Sequence, residues 1–133
     1  FAPLGYGAEV MQVKIVNKGK DARKISVTPA IPLYGRSADN LRDHRHVTSL
    51  LHRIKTSENG VICKPVLSFD ERGHQKNNMI YYVAGSTENG ENPVSFFPTV
   101  ASFIGESGTF LAPEALAKNQ KGCGAGKPGQ DHL

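Results

Sequence analysis

Short alternating apolar runs separated by glycine-bearing turns recur along this chain, and that rhythm limits it to a mainly antiparallel β architecture. In residues 8–17, AEVMQVKIVN, Met11, Val13 and Ile15 share one face while Gln12 and Lys14 share the other. The polar stretch 17–21 suits a turn, and alternation resumes over 23–30 through Ile25 and Val27. Pro29 and Pro32 cannot donate to a ladder, so this second strand is expected to stop there or to lie at an edge. Residues 47–55, VTSLLHRIK, fit a helical stripe of Val47, Leu50, Leu51 and Ile54 as well as a strand. The shortness of the run and the Asn59-Gly60 hairpin signal behind it favour the strand. A strand over 61–69, a polar loop over 70–78, a strand over 79–84, a turn around Asn89-Gly90 and a short strand over 94–97 follow. Residues 96–110 read as irregular, and 112–118 as a short helix with Pro113 near its first position and Glu114 in its first turn.

Five or six strands spaced in this way describe an antiparallel sheet, half of a sandwich. The expected organisation is a β-sandwich portion over 1–120 and a Gly-rich flexible tail or linker over 121–133, which holds four glycines and one proline. No apolar run approaches the roughly 20 residues of a membrane span, nor does the start of the chain read as a signal peptide. Phe1-Ala-Pro-Leu, without an initiator methionine, reads as a join to something upstream. The net charge of +4 is spread along the chain without interleaved aromatic residues, so a nucleic-acid partner is not expected. Cys63 and Cys123 form neither a disulfide framework nor zinc spacing, which makes a reducing cytoplasm the expected compartment.

The densest polar chemistry lies in residues 36–46, RSADNLRDHRH, where three arginines, two aspartates and two histidines are interposed between strands. Arginine forks and imidazoles beside carboxylates and an amide suit sugar hydroxyls or phosphate oxygens. The same composition suits a surface or subunit-contact loop held by Arg–Asp pairs. His44 and His46, with His52 as a third ligand, sketch a metal site, but Arg42 and Arg45 oppose a cation and no metal is expected. Ser49 lacks a nucleophile elbow. Asp70-Glu71 beside Arg72 resembles an acid/base pair but reads first as a solvated turn. Gly122 to Lys127, GCGAGK, fails the phosphate-loop pattern, with Lys121 in the first glycine's place and Pro128 in the hydroxyl's.

Three stretches, taken in order, resemble the N-terminal β-sandwich of the cellobiose phosphorylase family of glycoside phosphorylases. Phe1-Ala-Pro-Leu with residues 8–17 and 21–27 is similar to that family's opening strand, turn and strand. Ser102-Phe-Ile-Gly105 with Ala112-Pro-Glu-Ala-Leu116 is similar to its aromatic segment and the helix after it. Residues 31–46 with 67–74 resemble the β-1,2-oligoglucan phosphorylase branch in particular. The resemblance implies a β-supersandwich of the galactose mutarotase-like kind with one short helix near its C-terminus, followed in an intact enzyme by an (α/α)6 barrel. It also implies inverting phosphorolysis of a β-glucoside, such as a β-glucan oligosaccharide, to α-glucose 1-phosphate. Inorganic phosphate is then the co-substrate, with no metal or organic cofactor and a homodimeric assembly.

The family's general acid and phosphate ligands belong to the barrel, so no catalytic residue is expected in this chain. Arg36, Asp39, Arg42, Asp43, His44, Arg45 and His46 are the expected contacts with substrate or with a subunit interface. A chain of this kind, left alone, is expected to expose strand edges and apolar faces. The rival expectation is a stand-alone, non-catalytic β-sandwich that binds carbohydrate or protein, although the absence of tryptophan leaves it few stacking platforms.

Overall fold

The computed structural model describes residues 1–33, 52–65, 67–70, 73–76 and 78–125. Five strands are formed: β1 (His52–Thr56), β2 (Gly60–Pro65), β3 (Leu67–Asp70), β4 (Gly73–Lys76) and β5 (Tyr81–Ala84). β1, β2 and β5 make a three-stranded sheet in the order β1-β2-β5, while β3 and β4 make a separate two-stranded ribbon. Every one of these pairings is antiparallel. Two short helices follow, α1 (Val100–Ile104) and α2 (Glu114–Ala117). The architecture is thus mainly antiparallel β, as the sequence rhythm predicts, with two short helices where one is expected.

The Asn59-Gly60 hairpin forms, but not by the turn that this dipeptide suggests. Neither residue has a positive φ, so it is not a two-residue primed turn. Instead Thr56 pairs with Val61 and the Ser57 amide donates to the Gly60 carbonyl at 2.8 Å. Gly60 is required for space: a Cβ there would lie 2.2 Å from the Val83 carbonyl oxygen and 2.9 Å from the Tyr82 ring. Above this turn the Tyr82 hydroxyl donates to the Asn59 side-chain oxygen and lies 3.0 Å from Ser57 Oγ. The Asn89-Gly90 turn also forms, with the Gly90 amide bonded to the Thr87 carbonyl at 3.0 Å.

Period-two alternation divides the three-stranded sheet. His52, Ile54, Thr56, Cys63 and Pro65 turn to the inner side, where Thr56, Cys63 and Pro65 are buried. Phe96, Phe103 and Ala115 are also buried, and the Phe103 ring lies between those of Phe97 at 5.8 Å and Phe110 at 6.4 Å. The last described segment is docked: Cys123 exchanges two backbone hydrogen bonds of 2.9 Å with Phe96, and Thr56 Oγ1 donates to the Gly124 carbonyl at 2.9 Å. Residues 126–133, the rest of the expected tail, lie outside the described residues.

Several expected elements are corrected. Residues 8–17 and 23–30 form no ladder among the described residues. Alternation marks a strand's two faces but does not supply the neighbour whose backbone it must pair with. Both segments are exposed, with Val13 at 61% and Ile25 at 59%. The turn between them is real: Asn17 Oδ1 accepts from the Gly19 amide at 2.9 Å and its Nδ2 donates to the Asp21 carbonyl at 2.8 Å. The strand expected over 61–69 is two strands, β2 and β3. Within the loop expected over 70–78, residues 73–76 form β4, whose sequence GHQK has no apolar residue to announce it. The strand expected over 94–97 is reduced to a single bridge at Phe96. Inside the expected irregular stretch 96–110 stands α1, and Pro113 is the N-cap of α2 rather than its first residue. Of the strand expected over 47–55, residues 52–55 belong to β1, and 47–51 lie outside the described residues.

Candidate functional site

The seven residues that the sequence nominates, Arg36, Asp39, Arg42, Asp43, His44, Arg45 and His46, lie outside the described residues. Ser49, Glu71, Arg72 and Lys127 lie outside them as well. Asp70 closes β3 opposite Gly73. His52 begins β1, opposite Pro65. Among the described residues, no group of three or more His, Cys, Asp or Glu is placed to hold a metal ion. Cys63 is buried, Cys123 is half-buried, and neither is in a disulfide.

The described chain gathers polar chemistry instead on the outer face of the β1-β2-β5 sheet. Register places Arg53 opposite Lys64, and Lys55 opposite Ile62, which in turn pairs with Tyr82. All five side chains therefore stand on one face, and with Ile80 they line an open groove of about 520 Å³. Tyr82 is 50% exposed, and its ring lies against Gly60 with its hydroxyl tied to the hairpin turn. The groove is graded from cationic at the β1 edge to apolar at β5. Period-two reading of β1 and β2 is the signal that finds Lys55 and Lys64, once the register is known. Charge density alone points to residues 36–46.

A second polar arrangement joins the two helices. Glu114 Oε2 accepts from Lys118 Nζ at 3.0 Å, one turn along α2, while Oε1 accepts from the Ser107 amide at 3.3 Å. The Lys118 hydrogen bond is the main force holding the Glu114 carboxyl below the usual glutamate range, with the Lys118 charge and Ser107 adding to it against some desolvation. Each oxygen already has a protein donor, and the arrangement fastens the α1–α2 connection rather than receiving a ligand.

Comparison with protein families gives a match over nearly the whole chain: the family described as glycosyl hydrolase 94, supersandwich domain, fits residues 1–131. The chain belongs to the glycosyl hydrolase 94 family. Search of curated proteins gives no match. Membership in this family connects the chain to enzymes of the glycoside phosphorylase and hydrolase type, through the supersandwich domain. The antiparallel strands of this glycosyl hydrolase 94 domain agree with that description. Among its described residues, no helix is long and apolar enough to cross a membrane.

Proposed function

We propose that the chain is the supersandwich portion of an inverting glycoside phosphorylase, close to the β-1,2-oligoglucan phosphorylase branch, and that it acts there as a scaffold. The reading rests chiefly on the family match over residues 1–131. It is supported by two alternating segments, 8–17 and 23–30, whose apolar faces are exposed and whose backbones form no ladder among the described residues. In the proposed parent these segments pair with further strands, and an (α/α)6 barrel carries the chemistry. A phosphate oxygen attacks the anomeric carbon of a β-glucoside, the glycosidic C–O bond breaks with inversion, and an aspartic acid of the barrel protonates the departing oxygen. The products are α-glucose 1-phosphate and a shortened acceptor. Inorganic phosphate is the co-substrate in this scheme, which calls for no metal or organic cofactor. The protein is proposed to be cytoplasmic and homodimeric, with residues 36–46 facing the cleft or the dimer contact.

The test is the intact protein's release of α-glucose 1-phosphate from β-1,2-glucooligosaccharides in the presence of phosphate. Release is expected, with a raised KM in Arg42→Ala and His46→Ala. No release from any β-glucooligosaccharide would remove the phosphorylase reading. Unchanged kinetics in both variants would restrict residues 36–46 to a structural role.

A second reading has one observation in its favour. The half-exposed Tyr82 ring, held by its hydroxyl, is the kind of platform on which a sugar ring stacks. Calorimetry of the 133-residue chain with β-glucooligosaccharides separates the two readings. Binding by the chain alone, abolished in Tyr82→Ala, favours a carbohydrate-binding module, and the absence of heat favours the scaffold.

A further inference from the structure

From the outer face of the β1-β2-β5 sheet we infer a docking surface for an acidic polypeptide segment in extended conformation. The observation is a concentration of like charge that the fold itself does not require. Arg53 and Lys64 stand directly opposite each other across β1 and β2, and Lys55 is diagonal to Lys64. Like charges in opposed positions destabilise a sheet. Arg53 also has interactions elsewhere within the chain, so the anion-receiving pair is Lys55 and Lys64. Both lysines are exposed, and among the described residues no carboxylate lines the groove.

The geometry favours an extended peptide over a compact anion. Diagonal neighbours on a sheet face lie about 7–8 Å apart. Alternate side chains of an extended peptide, at about 3.3 Å per residue, repeat at nearly the same distance. Glutamates two residues apart can therefore address Lys55 and Lys64 together. A small anion needs donors that converge in a closed pocket, whereas these two stand exposed on an open face. The apolar half of the groove, Ile62, Ile80 and the Tyr82 ring, accommodates an apolar side chain beside the acidic pair. The ring is pre-positioned by its bonds to Ser57 and Asn59, so ordering it costs little on binding. The chain's net charge of +4 adds a general attraction for an acidic partner.

The experiment is fluorescence anisotropy with the full chain and a labelled peptide that alternates glutamate with glycine around one central leucine. Saturable binding is expected, weakening as NaCl rises from 50 to 200 mM and falling at least about tenfold in the Lys55→Glu/Lys64→Glu double variant. The Lys55→Arg/Lys64→Arg pair keeps the charge and is expected to retain binding. Far-UV circular dichroism and the melting temperature check that the sheet persists. Should charge reversal unfold it, the Lys55→Gln/Lys64→Gln pair gives the same comparison with less perturbation. No binding by the unaltered chain, or equal binding by a folded charge-reversed or neutralised variant, overturns the inference. So does displacement of the peptide by millimolar inorganic phosphate but not by equal ionic strength of NaCl, which would identify a small-anion site. None of these outcomes depends on the phosphorylase reading.

Discussion

Single residues in this chain act through the space they leave or the one bond they complete. Gly60 is the clearest case, because the Val83 carbonyl and the Tyr82 ring occupy the place a side chain would need. Gly60→Ala is therefore expected to cost about 2 kcal/mol or more, by pushing β5 away from β2. The control is Gly85→Ala, where a Cβ would meet only Pro93 Cγ at an ordinary 3.8 Å. Thermal denaturation that lowers the two variants equally would contradict the packing argument. Glu114 gives a pH-dependent case. Its carboxyl ionises more readily in the fold than in the unfolded chain, mainly because Lys118 donates to it. The stabilisation is thus fully present above the ordinary glutamate pKa of about 4.3 and is lost as pH falls through the lowered folded value. Glu114→Gln should melt below the unaltered chain at pH 7, and the difference should close as the pH is taken below about 4. A difference that persists undiminished at pH 2 would mean that the carboxylate charge is not its source.

At the scale of elements, α1 shows how a cap starts a helix that has little propensity of its own. Thr99 Oγ1 accepts from the Ser102 amide at 3.1 Å, and Ser102 Oγ accepts from the Thr99 amide at 3.2 Å. The helix is five residues long and buries Phe103, so the loss of either reciprocal bond loosens an aromatic contact as well. Thr99→Ala is expected to cost about 1 kcal/mol, and Ser102→Ala a similar amount. Because the bonds share a geometry, the double variant should lose less than the sum, and urea titration of all four proteins measures the difference. Strict additivity would show that the caps act independently. The sequence made some elements legible and hid others for reasons that these residues illustrate. Asn59-Gly60 marks the hairpin although Gly60 acts there through the space it leaves to β5, whereas Asn89-Gly90 marks its turn because the positive φ of Gly90 acts within the turn itself. Pro113 and Glu114 mark α2 on the same ground. α1 escaped because five residues give no helical period and its cap pairs Thr with Ser instead of Glu or Gln. β4 escaped because GHQK is all polar and is a strand only by virtue of pairing with β3. Of the candidate site, alternation carried the exposed face of β1 and β2, but its union with Tyr82 depends on a register that spans some 20 residues of sequence.

Across the whole molecule, the unevenness of burial is the dominant fact. The sheet, the helices and the docked residues 122–124 enclose a modest set of buried side chains, while Met11, Val13, Ile15, Ile25 and Val27 are each more than half exposed. Covering the exposed half of five such side chains is worth on the order of 1 kcal/mol each, a sum comparable with the whole stability of a small domain. Among the described residues, limited trypsin digestion of the 133-residue chain should therefore cut first at Lys14, Lys18, Lys20, Arg23 and Lys24, and later at Arg53 and Lys55 within the sheet. In a parent enzyme that pairs the first 30 residues, the early cuts should be suppressed; initial cleavage of the isolated chain inside β1 would contradict the described burial. The bond from Thr56 to the Gly124 carbonyl has a temporal meaning as well. A ribosome delivers Thr56 long before Gly124, and until residue 124 clears the exit channel the end of β1 waits for its clasp. Translation thus imposes a delay between completion of the β1-β2-β5 sheet and its fastening by residues 122–124.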